Sequence, residues 1–241
     1  MIRTPNHLRR ALRDPDTTDQ LLWIVSMAGA ICYLLVPLME SMPDLVRGGV
    51  KALGVGALAL IALRQAGRPG RSRDTLWLGI ALSLSCLGDI FLAGRMRNAF
   101  IYGLGSFLLA HLIYFGLFAR RWRRPLRPPM IRLGGSLALL TFSLFFSRWL
   151  APTLQGLALP VMIYICAITL MVVAALWANF STRLVVIGAT LFMISDSILA
   201  VERFRGGMPL SGLLIWTTYY LGQYGIATGF LIDSHREAET R

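Results

Sequence analysis

The chain alternates between long apolar runs and short clusters of polar, proline and glycine residues, and strict alternation of apolar and polar positions is absent. Runs near the ~17–25 residues that carry a helix across a ~30 Å hydrocarbon core predict membrane-spanning α-helices, whereas a β-barrel needs alternating segments of ~10 residues. Cutting at the polar clusters predicts eight helices, at about 20–38, 46–63, 75–93, 99–119, 131–147, 157–176, 183–201 and 211–232. The expected fold class is all-α, a polytopic membrane protein of eight transmembrane helices. Polar tails are expected over residues 1–19 and 233–241, around a transmembrane domain over 20–232.

Composition agrees with this pattern. Of 241 residues 56% are hydrophobic and 15% charged, and the mean hydropathy of +0.62 is high for a soluble domain. The net charge of +12 would point a soluble protein toward nucleic acid, but here the basic residues follow membrane topology. Of the 24 Lys and Arg, 17 fall in the N-terminal tail, the 64–74, 119–132 and 177–183 loops and the C-terminal tail. Those segments share one side of the membrane, so the excess of positive charge places both termini in the cytoplasm, in a bacterial inner membrane with no nucleic-acid partner. The stretch from Met1 to Gln20 carries Arg9, Arg10, Arg13, Asp14, Asp16 and Asp19 without an apolar core, and so does not read as a secretory signal. Cys32, Cys86 and Cys166 lie in separate apolar runs without CxxC spacing, as small core residues would.

Charge inside the spans is the signal for chemistry, because an ionisable side chain in the bilayer costs at least ~2.5–3.5 kcal/mol on the insertion scale. Gly88-Asp89-Ile90-Phe91-Leu92-Ala93 and Ser195-Asp196-Ser197-Ile198-Leu199-Ala200 each put one carboxylate near the end of such a run. Aligning the aspartates also matches Leu92 with Leu199 and Ala93 with Ala200, which predicts two four-helix halves arranged as a parallel repeat. Lys51, ~7 Å into the second span, approaches the aspartates from the same side and the same depth. Beside one carboxylate it favours that group's ionised form and leaves the other to hold a proton, an acid and base pair; near a helix end it is equally able to snorkel.

Other polar positions are weaker signals. His111 and Tyr114 share a helical face, as do Tyr219 and Gln223, and interhelical hydrogen bonds account for either pair. Counted by helical rise, His111 lies ~18 Å into its span, far deeper than the aspartates, which argues against a compact metal site. Neither a metal nor a cofactor is expected, and no GxSxG, HExxH, P-loop or dinucleotide motif occurs. Tyr33, Tyr102, Tyr164, Trp23, Trp77, Trp122, Trp149, Trp177 and Trp216 mostly fall near span ends, as an aromatic belt. Gly54, Gly56, Gly103 and Gly105 suit close helix packing, and the basic cluster from Arg120 to Arg132 suits anionic headgroups.

Together Lys51, Gly88-Asp89 with Phe91-Leu92, the Phe107 to Tyr114 stretch with His111, Ser195-Asp196-Ser197 with Leu199-Ala200, and Tyr219-Tyr220 with Gln223 resemble the YhhN-like lysoplasmalogenase family. The resemblance spans roughly Leu21 to Ile232, with one departure: Ala52 follows Lys51 where the family pattern has proline. It implies an eight-helix membrane hydrolase that cleaves the sn-1 vinyl-ether bond of lysoplasmalogens, taken from the bilayer, to a fatty aldehyde and a glycerophospho-alcohol. That chemistry needs one acid to protonate the alkene carbon and one base to activate water, so Asp89 and Asp196 are the expected catalytic pair, in either order. Lys51, His111, Tyr114, Ser197, Tyr219 and Gln223 would bind or orient the lysophospholipid and water. The alternative is a proton- or cation-coupled transporter using the same two aspartates.

Overall fold

A computed structural model of the chain describes residues 17–35, 44–69, 72–94, 97–122, 129–207 and 209–239. Among the described residues the structure is helical apart from turns and one antiparallel bridge between Trp122 and Ala178. The helices are α1 (Thr17–Leu34), α2 (Asp44–Ala66), α3 (Arg73–Ala93), α4 (Ala99–Arg120), α5 (Met130–Leu150), α6 (Ala158–Trp177), α7 (Leu184–Arg205) and α8 (Ser211–Glu239), with two short 3-10 turns between α5 and α6.

Helix boundaries follow backbone chemistry. Extended Pro129 precedes α5, and Gly206, at φ +104, ends α7 in a conformation that a side chain would disfavour. Six helices, α2 to α7, are long and apolar enough to cross a membrane. The first and last fall short on composition: α1 opens Thr17-Thr18-Asp19-Gln20, and the apolar run of α8 is interrupted by Thr217, Thr218, Tyr219, Tyr220, Gly222, Gln223 and Tyr224. Both extend past the expected tail boundaries, and Asp19 and Asp233 are buried within the bundle. Residues 1–16, 36–38 of the expected first span, and Arg123, Arg124 and Arg127 of the basic cluster lie outside the described residues.

The bundle is organised around α8, which packs along α7 and also touches α1, α2 and α3. One core joins these elements through Leu58, Leu82, Phe107, Met171, Phe192, Trp216 and Phe230. The α7–α8 contact is backbone on backbone. A Cβ added at Gly188 would stand 2.6 Å from the Gly222 carbonyl oxygen and 2.7 Å from the Ile226 nitrogen. Gly188→Ala is therefore expected to push the helices apart and cost about 1–3 kcal/mol, read as a lower thermal midpoint in detergent. Among the glycines expected to pack closely, Gly103 lies against Leu92, whereas Gly105 faces open space. Helix α5 is peripheral, with Ser143 and Leu150 as its buried residues, and is tied to α6 by Ser143 with Thr169 at 2.7 Å and by the Trp177 indole donating to Ser136 at 2.8 Å.

Polar ties gather at the end of the bundle where α1 and α3 begin and α2, α4, α6 and α8 finish. Asp19 is held by Arg68 at 2.8 Å and Arg64 at 3.3 Å, and Thr75 meets Ser234 at 2.8 Å. Asp233 accepts from the Ser181 backbone at 3.1 Å and pairs with Arg121 at 3.7 Å, while Arg120 pairs with Asp74 at 2.6 Å. Such ties fix helix ends, and the buried Asp19 and Asp233 are tolerated because each is paired there. Cys32 and Cys166, expected in the core, lie instead on exposed helix faces; a thiol is apolar enough to face lipid, so an apolar run does not fix which way it points.

Candidate active site

At the opposite end of the bundle from those ties, α2, α3, α4, α6, α7 and α8 bring together most of the polar residues singled out inside the spans. Asp89, one turn from the end of α3, is buried, and its Oδ1 lies 2.8 Å from Lys51 Nζ on α2. The Tyr219 hydroxyl on α8 donates to its Oδ2 at 2.6 Å. Lys51 is ringed by aromatic faces, with Tyr33, Trp216 and Tyr219 at 5.7–5.9 Å. Its side chain is 14% exposed, so the buried ion pair, and not snorkelling to the interface, describes this lysine. Cation–π contacts suit such a position because they stabilise the ammonium where water is scarce.

Asp196 on α7 has a different shell. The Tyr164 hydroxyl on α6 donates to its Oδ2 at 2.5 Å, and His111 Nε2 on α4 stands 3.8 Å from the same oxygen. His111 is fully buried, and neither ring nitrogen has a hydrogen-bond partner among the described residues. The expectation that His111 lies far deeper than the aspartates is therefore corrected. Because α7 continues to Arg205, nine residues past Asp196, this aspartate is ~13 Å from the helix end and not the ~6–8 Å that an end at 201 implied. It lies deeper than Asp89 and level enough with His111 for contact.

The two shells meet through rings. Phe192 packs on both His111 (4.7 Å between centroids) and Tyr219 (5.2 Å), and Phe107 packs edge-on against Phe192 and Tyr219. They do not open into one space. Asp196 and Ser197 line an apolar cleft walled by Leu104, Phe107, Phe146 and Tyr164, whereas Lys51 lines a neighbouring polar cavity with Tyr33 and Trp216. Asp89 lines neither. Of the expected catalytic pair, one carboxylate thus stands at the cleft and one behind it, because the bulky rings of Phe107, Phe192 and Tyr219 fill the space between.

The remaining candidates stand farther back. Tyr114 donates to Gln223 Oε1 at 2.8 Å across α4 and α8, both fully buried and away from either cavity, while Gln223 Nε2 has no hydrogen-bond partner among the described residues. The Ser197 hydroxyl is spent on the Met193 carbonyl at 2.8 Å. Tyr164, Tyr33 and Trp216, expected in the interfacial belt, all sit at the site, and Tyr164 and Trp216 are buried. The signal that could have found Tyr164 is its place inside α6, where a buried phenol needs an acceptor. Among the described residues no group of three His, Cys, Asp or Glu converges as metal ligands would.

An all-helical bundle with membrane-length spans, a buried Lys-Asp pair and a second carboxylate at an apolar cleft defines a class of intramembrane site suited to an amphiphile. Residues 46–230 match the YhhN family, and the chain belongs to that family. A lysoplasmalogenase of Mycobacterium tuberculosis (strain CDC 1551 / Oshkosh) is 36% identical over 161 residues, 66% of this chain and 61% of the relative. Lysoplasmalogenase TMEM86B of Mus musculus is 34% identical over 192 residues, 79% of this chain and 78% of the relative. Lysoplasmalogenase TMEM86A of Homo sapiens is 27% identical over 222 residues, 85% and 86% of the two chains. The match thus spans about three-fifths of the mycobacterial relative's length, 61%. No solved structure matches the chain. The apolar helices and these relatives make it a multi-pass membrane protein.

Proposed function

We propose that the protein hydrolyses the vinyl-ether bond of lysoplasmalogens, with Asp196 as the acid that protonates the alkene. The observation that carries this reading is the asymmetry of the two carboxylates. Asp89 has a lysine in contact and is the ionised member; Asp196 has a phenol and an imidazole, faces the cleft, and carries the transferable proton. The proton passes from Asp196 to the outer alkene carbon, leaving an oxocarbenium ion on the carbon bonded to oxygen and a carboxylate that stabilises it. Water then adds to that carbon and returns a proton to Asp196. The hemiacetal so formed collapses to the fatty aldehyde and the glycerol hydroxyl. His111 Nε2, 3.8 Å from Asp196, is placed to orient the water. Asp89 acts from behind, positioning Lys51 and Tyr219.

On this reading all eight helices cross a bacterial inner membrane with both termini cytoplasmic and the aspartates toward the outer face. Asp89 and Asp196 occupy equivalent places in two parallel four-helix halves. A lysophospholipid keeps its headgroup at that face while its chain enters the apolar cleft. The relatives named above are lysoplasmalogenases and lend the transporter alternative no support. Incubating the purified protein with vinyl-ether, alkyl-ether and ester lysolipids tests the reading by mass spectrometry: aldehyde release confined to the vinyl ether is expected, and an inert vinyl ether ends it.

Tyr164 has a defined share in this chemistry, since its hydroxyl holds the carboxylate that forms when Asp196 gives up its proton. A hydrogen bond to a charged group is worth about 1.5–3 kcal/mol, so Tyr164→Phe is expected to lower kcat by roughly ten- to a hundredfold with little change in KM. An unchanged kcat would show the phenol to be structural only.

A further inference from the structure

The polar cavity beside the cleft has a lopsided charge. Lys51, Arg97 and Arg203 line it, and among the described residues no carboxylate does. Lys51 is already matched by Asp89 at 2.8 Å. Arg97, just before α4, and Arg203, in the last turn of α7, have no ion-pair partner among the described residues, and both are exposed at the mouth. The Arg203 guanidinium is steadied over the Phe100 ring at 5.1 Å, which leaves its edge free to donate. Leu92, Phe100 and Leu199 line this cavity and the apolar cleft alike, so the two are neighbours across one apolar sill.

We propose that Arg97 and Arg203 form a subsite for the phosphate of a single-chain phospholipid, whose chain runs over the sill into the cleft beside Asp196. The proposal rests on the lysolipid reading above and assigns its headgroup. Guanidinium groups suit a phosphate ester because their planar fork presents paired N–H donors to two oxygens. The spacing suits a glycerol backbone. Arg203 lies seven residues beyond Asp196 on α7, about 10 Å along the helix, so an arginine reaching back and an extended glycerol together bring the ether linkage to the carboxyl. The charge arrangement also accounts for the direction of entry, with the anion held at the mouth and the chain directed inward. A phosphate gains there what it would lose deeper, where Lys51 is already neutralised.

The test measures binding without turnover, so that it stands apart from the hydrolysis. A saturated alkyl-ether lysophosphatidylethanolamine, which has no vinyl bond to cleave, and the matching phosphate-free alkylglycerol are titrated into the detergent-solubilised full chain. Binding is followed by tryptophan fluorescence, to which Trp216 in the cavity wall contributes. The Arg97→Gln/Arg203→Gln double variant is expected to bind the phospholipid about tenfold more weakly or worse, and the alkylglycerol as the unaltered protein does. Arg97→Lys/Arg203→Lys keeps the charges and recovers part of the loss. Equal losses for both lipids, or none for the phospholipid, overturn the subsite. A third arm uses glycerophosphoethanolamine without a chain: affinity equal to the lipid's would mark a site for soluble phosphate esters and overturn the headgroup assignment. Should the vinyl ether prove inert while the double variant still discriminates, the hydrolase reading fails and the subsite stands.

Discussion

Asp196→Asn is expected to abolish aldehyde release while leaving the protein folded. The replacement is nearly isosteric, and an amide oxygen still accepts the Tyr164 hydrogen bond seen at 2.5 Å. What it removes is the transferable proton. Loss of a general acid lowers rate by ~10²–10⁴-fold, and among the described residues no second carboxyl lines this cleft to replace it. The variant should therefore elute as the unaltered protein does, unfold at a similar temperature, and retain lysolipid binding. Turnover within about tenfold of the unaltered protein would transfer the acid role elsewhere.

Lys51→Met is expected to act on stability first. Asp89 would keep its Tyr219 hydrogen bond but lose the cation 2.8 Å away, leaving a carboxylate in a buried site without compensation. Breaking a buried pair from one side costs ~3–5 kcal/mol, whereas replacing both members is often neutral. The single variant should thus lower the thermal midpoint by roughly 10 °C, using a few degrees per kcal/mol for a chain of this size. The Lys51→Met/Asp89→Asn double variant should recover most of it. The coupling between the two substitutions is the diagnostic quantity. Additive losses would mean that the pair is not a unit, and the assignment of Asp89 as the ionised carboxylate would fall with it.

These expectations also mark what could be read before any coordinates. Asp89, Asp196 and Lys51 stand out in the sequence because charge in an apolar run is costly, and Lys51 could be directed at an aspartate because both lie near the same helix ends. All eight helices are where the apolar runs put them, to within a few residues at most ends. The corrected expectations have separate physical causes. Depth counted by helical rise depends on where a helix stops, and α7 continues through Glu202, Arg203, Phe204 and Arg205 past the expected end at 201, which sinks Asp196 to the level of His111. Periodicity gives a face but not the neighbour on it: it leaves interhelical hydrogen bonding open to Tyr114 and Gln223, but does not say that the phenol donates to that amide's oxygen. A tyrosine near a span end looks the same in sequence whether it anchors the interface or, like Tyr164, points to an acid. Nor could an apolar pattern foretell that Phe107 and Phe192 would divide the site in two.

The most direct measurement of the central claim follows the proton itself. Turnover of a lysoplasmalogen in deuterated water, quenched early and read by mass spectrometry, should place one deuterium on the aldehyde carbon next to the carbonyl. The same reaction in oxygen-18 water should leave the glycerol oxygen unlabelled. Aldehyde without that deuterium, or a glycerol hydroxyl carrying the heavy oxygen, would contradict protonation of the alkene by Asp196 as the step that breaks the lipid.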